Sequence, residues 1–367
     1  MTALPVLLVI KILPVIKPNL LQVLQHKTLT LGLVFCLGVW LLSACGKQPS
    51  AMRLEGMQGT ALWHVTLTHP PATISAPELQ AGLSKTFADT NQLLATWDDT
   101  SEVARFNRYQ GTDWFSISPP LAKLLELTLQ VSRQSGGVYD VTVEPLVKLW
   151  GFASHDAGKD VVPAKADIDI ALAKVGYQKL QVRLDPPAVR KSQADLQVEL
   201  ASVADGFAAD QAGLYLESLG ISEYMVEIAG EVRTRGLSPR GDAWRIAIEK
   251  PVEEDHVIQN GVNLRDAGLA TSGDYRNFFV QGGKRYSHTF NPVTGAPVTH
   301  NLASVSVMSP EATLADAYAT LFMALGEQKG KAFADAHAIN AYFIWRTDKG
   351  FETADTVGFH GLLTGNQ

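Results

Sequence analysis

Apolar residues recur at helical spacing in several long stretches of the chain. Leu79, Leu83, Phe87 and Leu94 share one face, behind Ser75 as an N-cap residue and Pro77 in the first turn. Leu121, Leu124, Leu125, Thr128 and Val131 line a second helix that starts near Ser118-Pro119 and runs to Gly136-Gly137. A third runs from about Val203 to Leu219 and stops at Gly220, a C-terminal glycine signal. A fourth covers about Ala312–Leu325, followed by a shorter one at 328–337. Between them lie short alternating or β-rich runs: Val65–Thr68, closed by His69-Pro70-Pro71, then Tyr224–Ile228, Trp244–Ile248, Leu302–Met308 and Ala341–Trp345. Phe278–Val280 and Arg285–Phe290 flank Gln281-Gly282-Gly283-Lys284 and read as a hairpin. Residues 153–170 are polar and alanine-rich and read as a surface loop. Strands in runs, with helices between them, predict an α+β fold: a largely antiparallel sheet with packed helices.

The N-terminus has a different pattern. Residues 1–27 carry three lysines and no acid, an apolar stretch follows from Leu29 to Leu42, and Leu-Ser-Ala precedes Cys45. That is the layout of an export signal. The stretch has about 14 positions, short of the ~20 that span a bilayer. The expected division is a leader over 1–45, a tether over 46–56 and a folded domain over 57–360. Cys45, placed like a lipobox cysteine, is expected to carry the lipid that anchors the chain to a bacterial membrane on its periplasmic side. The only other cysteine, Cys36, lies in the leader, so the mature chain has no thiol for a disulfide. Losing 1–45 takes three of the 31 basic residues and none of the 37 acidic ones, which moves the net charge from −6 to −9. An acidic chain argues against nucleic acid or anionic lipid as a partner, and leaves the acyl groups to supply anchoring. There is no G-x-G-x-x-G and no P-loop.

Four clusters carry chemistry. Asp316 and Thr320 stand at i and i+4 on a helix, so a carboxylate and a hydroxyl share a face, as suits a hard cation such as Mg²⁺. The plain alternative is a first-turn acid and a packed threonine. Ser202 to Asp210 is a helix entry rich in small residues, with Asp205 in its first turn as a capping acid or a site residue. Asp140 follows the glycines of Gly136-Gly137-Val138-Tyr139 and is either a ligand acid or a turn residue. Thr271-Ser272-Gly273-Asp274-Tyr275-Arg276 offers hydroxyls, a glycine and a cation to a pyrophosphate, and His288 further on is a candidate for proton transfer.

The order and wording of these clusters resemble the ApbE family of FAD:protein FMN transferases, from about Gly56 to Gly350. The matching phrases are Gln58-Gly59-Thr60, Ala95-Thr96-Trp97, Ser101 to Asn107, Gly137 to Phe152, Ser202 to Asp210, Val226 to Glu231, Thr271 to Arg276 and Asp316 to Thr320. The resemblance implies an ApbE-like, T-fold-related core. It implies Mg²⁺ held by Asp316 and Thr320, with the Ser202 carbonyl nearby and Ala319 at a variable metal position. Gln58, Thr96, Trp97, Asp140, Asp205, Ser272, Gly273, Arg276 and Phe290 match positions around FAD, and His288 and Asp316 the catalytic ones. The chain departs from the family at Gln58, usually methionine; at Asp205, often lysine; at Asn291, usually aspartate; and at Ala319, an acid in some members. The reaction implied is Mg²⁺-dependent transfer of FMN from FAD to a threonine or serine hydroxyl, releasing AMP. The implied acceptors are flavoprotein subunits such as those of Na⁺-translocating NADH:quinone reductase or related electron-transport subunits. Two rivals share the site: an FAD pyrophosphatase, which differs only in using water, and a non-catalytic FAD-binding lipoprotein.

Overall fold

The computed structural model describes residues 51–152, 162–252, 257–275 and 278–364; the leader, Cys45 and Arg276 lie outside them. Eight strands form the main sheet: β1 (Met52–Gln58), β2 (Ala61–Leu67), β3 (Tyr224–Ile228), β4 (Glu231–Arg235), β5 (Gly268–Gly273), β6 (Leu302–Ser309), β7 (Asn340–Thr347) and β8 (Gly350–Asp355). Their order across the sheet is their order along the chain, and every neighbouring pair is antiparallel. Between β2 and β3 run α1 (Ala76–Leu94), α2 (Glu102–Arg108), α3 (Pro119–Gln134), α4 (Glu144–Leu149), α5 (Lys165–Leu172) and α6 (Ala201–Ser218). Between β6 and β7 run α7 (Ala312–Leu325) and α8 (Glu327–Ala336). Shorter elements are named by their residues. No helix among the described residues is long and apolar enough to cross a membrane.

Local chemistry sets the helix starts. The Ser75 hydroxyl accepts the Glu78 N–H while the Glu78 carboxylate takes the Ser75 N–H at 2.8 Å, a capping box that opens α1. At α3 the Ser118 hydroxyl alone caps, accepting the Leu121 N–H, with prolines in the first turn. One sheet face is covered by helices. Val65, Leu67 and Val226 join Leu79, Leu83 and Phe87 of α1 and Ala212 and Leu216 of α6 in one core cluster. Ala270, Val305 and Val307 join Ala315, Ala319 and Phe322 of α7 and Leu121 and Leu125 of α3 in another. On the opposite face Val232, Leu269, Tyr342 and Ile344 meet Ile248 and Val262 of the Trp244–Leu264 hairpin, and Phe359. β6 is therefore buried on both faces, so it reads as a nearly unbroken apolar and small-residue run.

The α+β expectation holds, and several boundaries move. The tether drawn over 46–56 is too long, because β1 begins at Met52. That strand has weak alternation of its own and is defined by pairing with β2, Gly56 lying directly under the Trp63 indole. The loop read over 153–170 ends in α5, a short, mostly exposed helix closed by a Lys165–Asp169 pair at 2.7 Å; residues 153–161 lie outside the described part. α6 starts at Ala201, so Asp205 is in its second turn and caps nothing. The strand read as Arg285–Phe290 is two pieces, Lys284–Ser287 and Phe290–Asn291, with His288 and Thr289 between them. The Gly282-Gly283 turn holds, both residues at positive φ (60° and 75°) as a two-residue hairpin needs.

Candidate active site

Three elements meet more closely at α7 than ordinary side chains allow. A methyl group added to Gly206 of α6 would lie 2.6 Å from the Ala312 carbonyl oxygen and 2.9 Å from the Asp316 Cβ. One added to Gly268 of β5 would collide with the Ala312 backbone from the other side. Two glycines and an alanine thus let α6, α7 and β5 pack nearly backbone to backbone. The N-terminus of α7 is held by Asp210 of α6. Its carboxylate accepts from the Ala312 N–H (3.1 Å), the Thr313 N–H (2.8 Å) and the Thr313 hydroxyl (2.6 Å), and faces Arg233 at 3.4 Å.

This packing buries Asp316, which is 7% exposed. The Gly206 N–H donates to its Oδ2 at 3.2 Å. Burial, and then the nearby Asp205 charge, hold its pKa well above the ordinary carboxylate range, with Asp210 adding a smaller push and the Gly206 N–H pulling the other way. Glu231, at the start of β4, is equally buried. Its carboxyl is raised by burial and by the charges of Asp316 and Asp205, against its own N–H and that of Thr271. Burial also pushes Asp205 up to about 6. Carboxyl groups from α6, β4 and α7 therefore share a region of the fold that disfavours their charge. Thr320 lies one turn beyond Asp316, half-buried on the same side of α7. Beside them the Tyr139 hydroxyl and the Ser202 hydroxyl lie 3.0 Å apart, in the first turn of α6. Burial and the charges of Asp316, Glu199 and Asp140 raise the Tyr139 phenol. Glu199, raised to about 7 by burial, has its oxygen on the Ala201 N–H at 2.9 Å, at the mouth of α6.

The donor set fits a hard divalent ion with few protein ligands. No group of three or more His, Cys, Asp or Glu able to hold a metal occurs among the described residues. One buried carboxylate with a hydroxyl one helical turn away suits an ion that would keep water and phosphate oxygens in its other positions. Ala319 lies in the core, and its methyl offers no ligand.

The other sequence-derived residues divide. Ser272 and Gly273 end β5, two and three positions past Ala270, which packs in the α7 core cluster. Trp97 is 75% exposed on the loop between α1 and α2, with Thr96 half-buried beside it, a flat ring open to a ligand. Gln58 ends β1 at the turn into β2. Phe290 is buried against Trp150 and Phe152, ring centroids 6.3 and 5.8 Å apart, so its ring serves the aromatic core. Asp140 is engaged by its own loop, accepting from the Thr142 N–H (2.8 Å) and hydroxyl (2.6 Å), and by the distant Tyr177–Lys179 turn, accepting from the Tyr177 N–H (2.7 Å). The turn-residue alternative describes it. His288 is exposed between two strand ends. Sequence reasoning gave no role to Glu231, Tyr139, Glu199 or Asp210. Glu231 had a signal, the small-residue turn Ala229-Gly230 before it, both at positive φ. Concavities of about 500 Å³ beside Lys148 and about 730 Å³ beside Trp244 share no lining residue with this group.

A profile described as the ApbE family matches residues 59–343. An FAD:protein FMN transferase of Vibrio cholerae is 34% identical over 332 residues, 90% of this chain and 98% of that protein. One from Salmonella typhimurium is 35% identical over 321 residues, 87% and 91% of the two chains. Among solved structures, the flavin transferase ApbE from Vibrio cholerae superposes with a TM-score of 0.78 at 34% identity, covering 86% of this chain and 99% of that one. The apo form of the Pseudomonas stutzeri flavinyl transferase ApbE gives 0.79 at 34%, covering 87% and 98%. With the carboxyl-rich seam between α6 and α7 already in place, this likeness over nearly the whole described fold identifies the chain as a member of the ApbE family.

Proposed function

We propose that the chain transfers FMN from FAD to a hydroxyl of a target protein, with Mg²⁺ held by Asp316, Thr320 and the Ser202 carbonyl. The observation that carries the metal reading is Asp316. It is a buried carboxyl among other acids, and a backbone N–H is what eases its charge. Such a group stays protonated or takes a cation. A bound divalent ion supplies positive charge against the diphosphate oxygens. The target hydroxyl oxygen forms a bond to the FMN phosphorus, the bond from that phosphorus to the bridging oxygen breaks, and AMP leaves. The hydroxyl proton goes to a base, for which His288 is the candidate because it is exposed where a second protein can reach it. Ser272, Gly273 and the half-open Thr96–Trp97 loop bind and orient the dinucleotide, so the protein's share is mainly positioning and electrostatics. We place the hydroxyl on a threonine or serine of a flavoprotein subunit of a membrane redox enzyme such as Na⁺-translocating NADH:quinone reductase. Acylation of Cys45 would hold the chain at the periplasmic face of the membrane. Cys45→Ala should then move it from the membrane fraction to the soluble one.

The test is incubation with FAD, Mg²⁺ and a candidate acceptor. Flavin fluorescence that survives a denaturing gel on the acceptor supports transfer. AMP release without labelled protein would favour the hydrolase, and neither product would leave only flavin binding. Asp316→Ala is expected to abolish labelling, and full activity of that variant in excess Mg²⁺ sinks the metal assignment. His288→Asn is expected to lower turnover more than FAD affinity; unchanged turnover removes His288 from the reaction.

A further inference from the structure

Asp274 is held from three directions. Its N–H donates to the Ala303 carbonyl of β6 at 3.1 Å. Its carbonyl accepts from Arg285 Nη2 at 2.7 Å, and that guanidinium lies 3.6 Å over the Phe278 ring. Its carboxylate takes both arms of Arg346 from β7, Nη1 to Oδ2 at 2.9 Å and Nη2 to Oδ1 at 2.7 Å. The Arg346 N–H in turn donates to the carbonyl of Asn301, the residue before β6, at 2.9 Å. Asp274 immediately follows Ser272 and Gly273, which pair with Val305 and Ser304 at the end of β5. It also opens the path into the Phe278–Ser287 hairpin, which delivers His288. The pair is largely covered, with Asp274 only 8% exposed, so breaking it also costs stability. A planar two-armed contact does something different: it fixes the direction of the carboxylate and so of the backbone that carries it.

We propose that Arg346 is a positioning residue for the transfer reaction, acting through Asp274. The bidentate contact sets the end of β5, so that Ser272 and Gly273 stay in place against the FAD diphosphate, and it fixes where the His288 hairpin leaves the sheet. The proposal rests on the reading of Ser272 and Gly273 as diphosphate-facing. Arg346 lies far along the chain from every cluster the sequence singled out and touches no reacting group.

The experiment measures kcat and KM for FAD with a fixed acceptor, well below the melting temperature, for Arg346→Gln, Arg346→Lys, Asp274→Asn and the Arg346→Gln/Asp274→Asn pair. The expected result is a fall in kcat/KM for FAD of roughly tenfold to a hundredfold in each single variant, the scale of a small misplacement of binding groups. The lysine variant should recover little of it, because a point charge cannot hold both oxygens. The double variant should be no worse than the worse single one. If Arg346→Gln does not fold, Arg346→Lys carries the test. Folded variants that keep kcat/KM for FAD within twofold of the parent, whatever their melting temperature, overturn the proposal. Ser272→Trp separates the two levels. It should abolish FAD binding, and normal binding in that variant would mean that the diphosphate reading had failed, and the role of Arg346 with it.

Discussion

Gly206 is the single residue on which the geometry of Asp316 depends most directly. Alanine there is worth about 1 kcal/mol in helix propensity. Against that, its methyl would sit 2.6 Å from a backbone carbonyl and 2.9 Å from the Asp316 Cβ, neither of which can swing aside. Overpacking of this kind costs about 1–3 kcal/mol, so the steric term wins. Gly206→Ala should lower the melting temperature by a few degrees and lower flavin transfer by a larger factor than stability alone explains, since it moves the putting-together of α6 and α7. A raised melting temperature with normal transfer would show that the seam has slack. The sequence made Asp316 and Thr320 legible because helical spacing alone puts them on one face. It could not do so for Glu231, which a strand turn brings to Asp316 from a distant part of the chain. Asp140 was legible only as an alternative, since a loop acid that binds a ligand and one that binds its own backbone look the same until the loop is seen.

At the level of elements, α7 begins without help from its own flank: Glu311 makes no side-chain cap. The cap comes from Asp210, across the helix seam, and Arg233 balances its charge. Asp210→Ala should therefore remove a cap and take the carboxylate from a mostly buried guanidinium that keeps its bond to the Pro310 carbonyl. The expected loss is about 2–3 kcal/mol, measured by urea unfolding. Less than about 0.5 kcal/mol would mean that water replaces the carboxylate without cost. The same contrast separates elements that could be read from those that could not. Helices with their signals inside their own sequence, such as α1 with its capping box and α3 with Ser118, stood out. β1, β4 and β5 did not. β5 is mostly small residues because α7 presses on it, and β4 alternates but turns its charged side chains toward α6, the reverse of what an apolar-in pattern signals.

For the whole molecule, a sheet whose spatial order follows its chain order places long insertions between β2 and β3, between β5 and β6 and between β6 and β7, and the candidate site is assembled largely from those insertions and the strand ends beside them. The acids gathered there bear on the stability of the entire fold. Asp205, Glu231 and Asp316 all have raised folded pKa values, Asp205 to about 6 and the other two well above the ordinary range. Unfolded, they titrate near ~4. Between those limits the folded chain holds more protons than the unfolded one, so stability falls as pH rises from about 4 through 6 and beyond, and stays reduced above that. Charging carboxyls that burial and, for Glu231 and Asp316, neighbouring negative charge disfavour is what causes the loss. A cation bound by the ionised form offsets it, and competes with protons for the same oxygens. Mg²⁺ should accordingly raise the melting temperature more at pH 8 than at pH 5. In Asp316→Asn the metal-induced shift should shrink, while the metal-free protein gains stability at pH 8 relative to the parent. Calorimetry at the two pH values with and without Mg²⁺ checks both statements. An equal or larger shift at pH 5 would mean that the ion binds somewhere other than this group of acids.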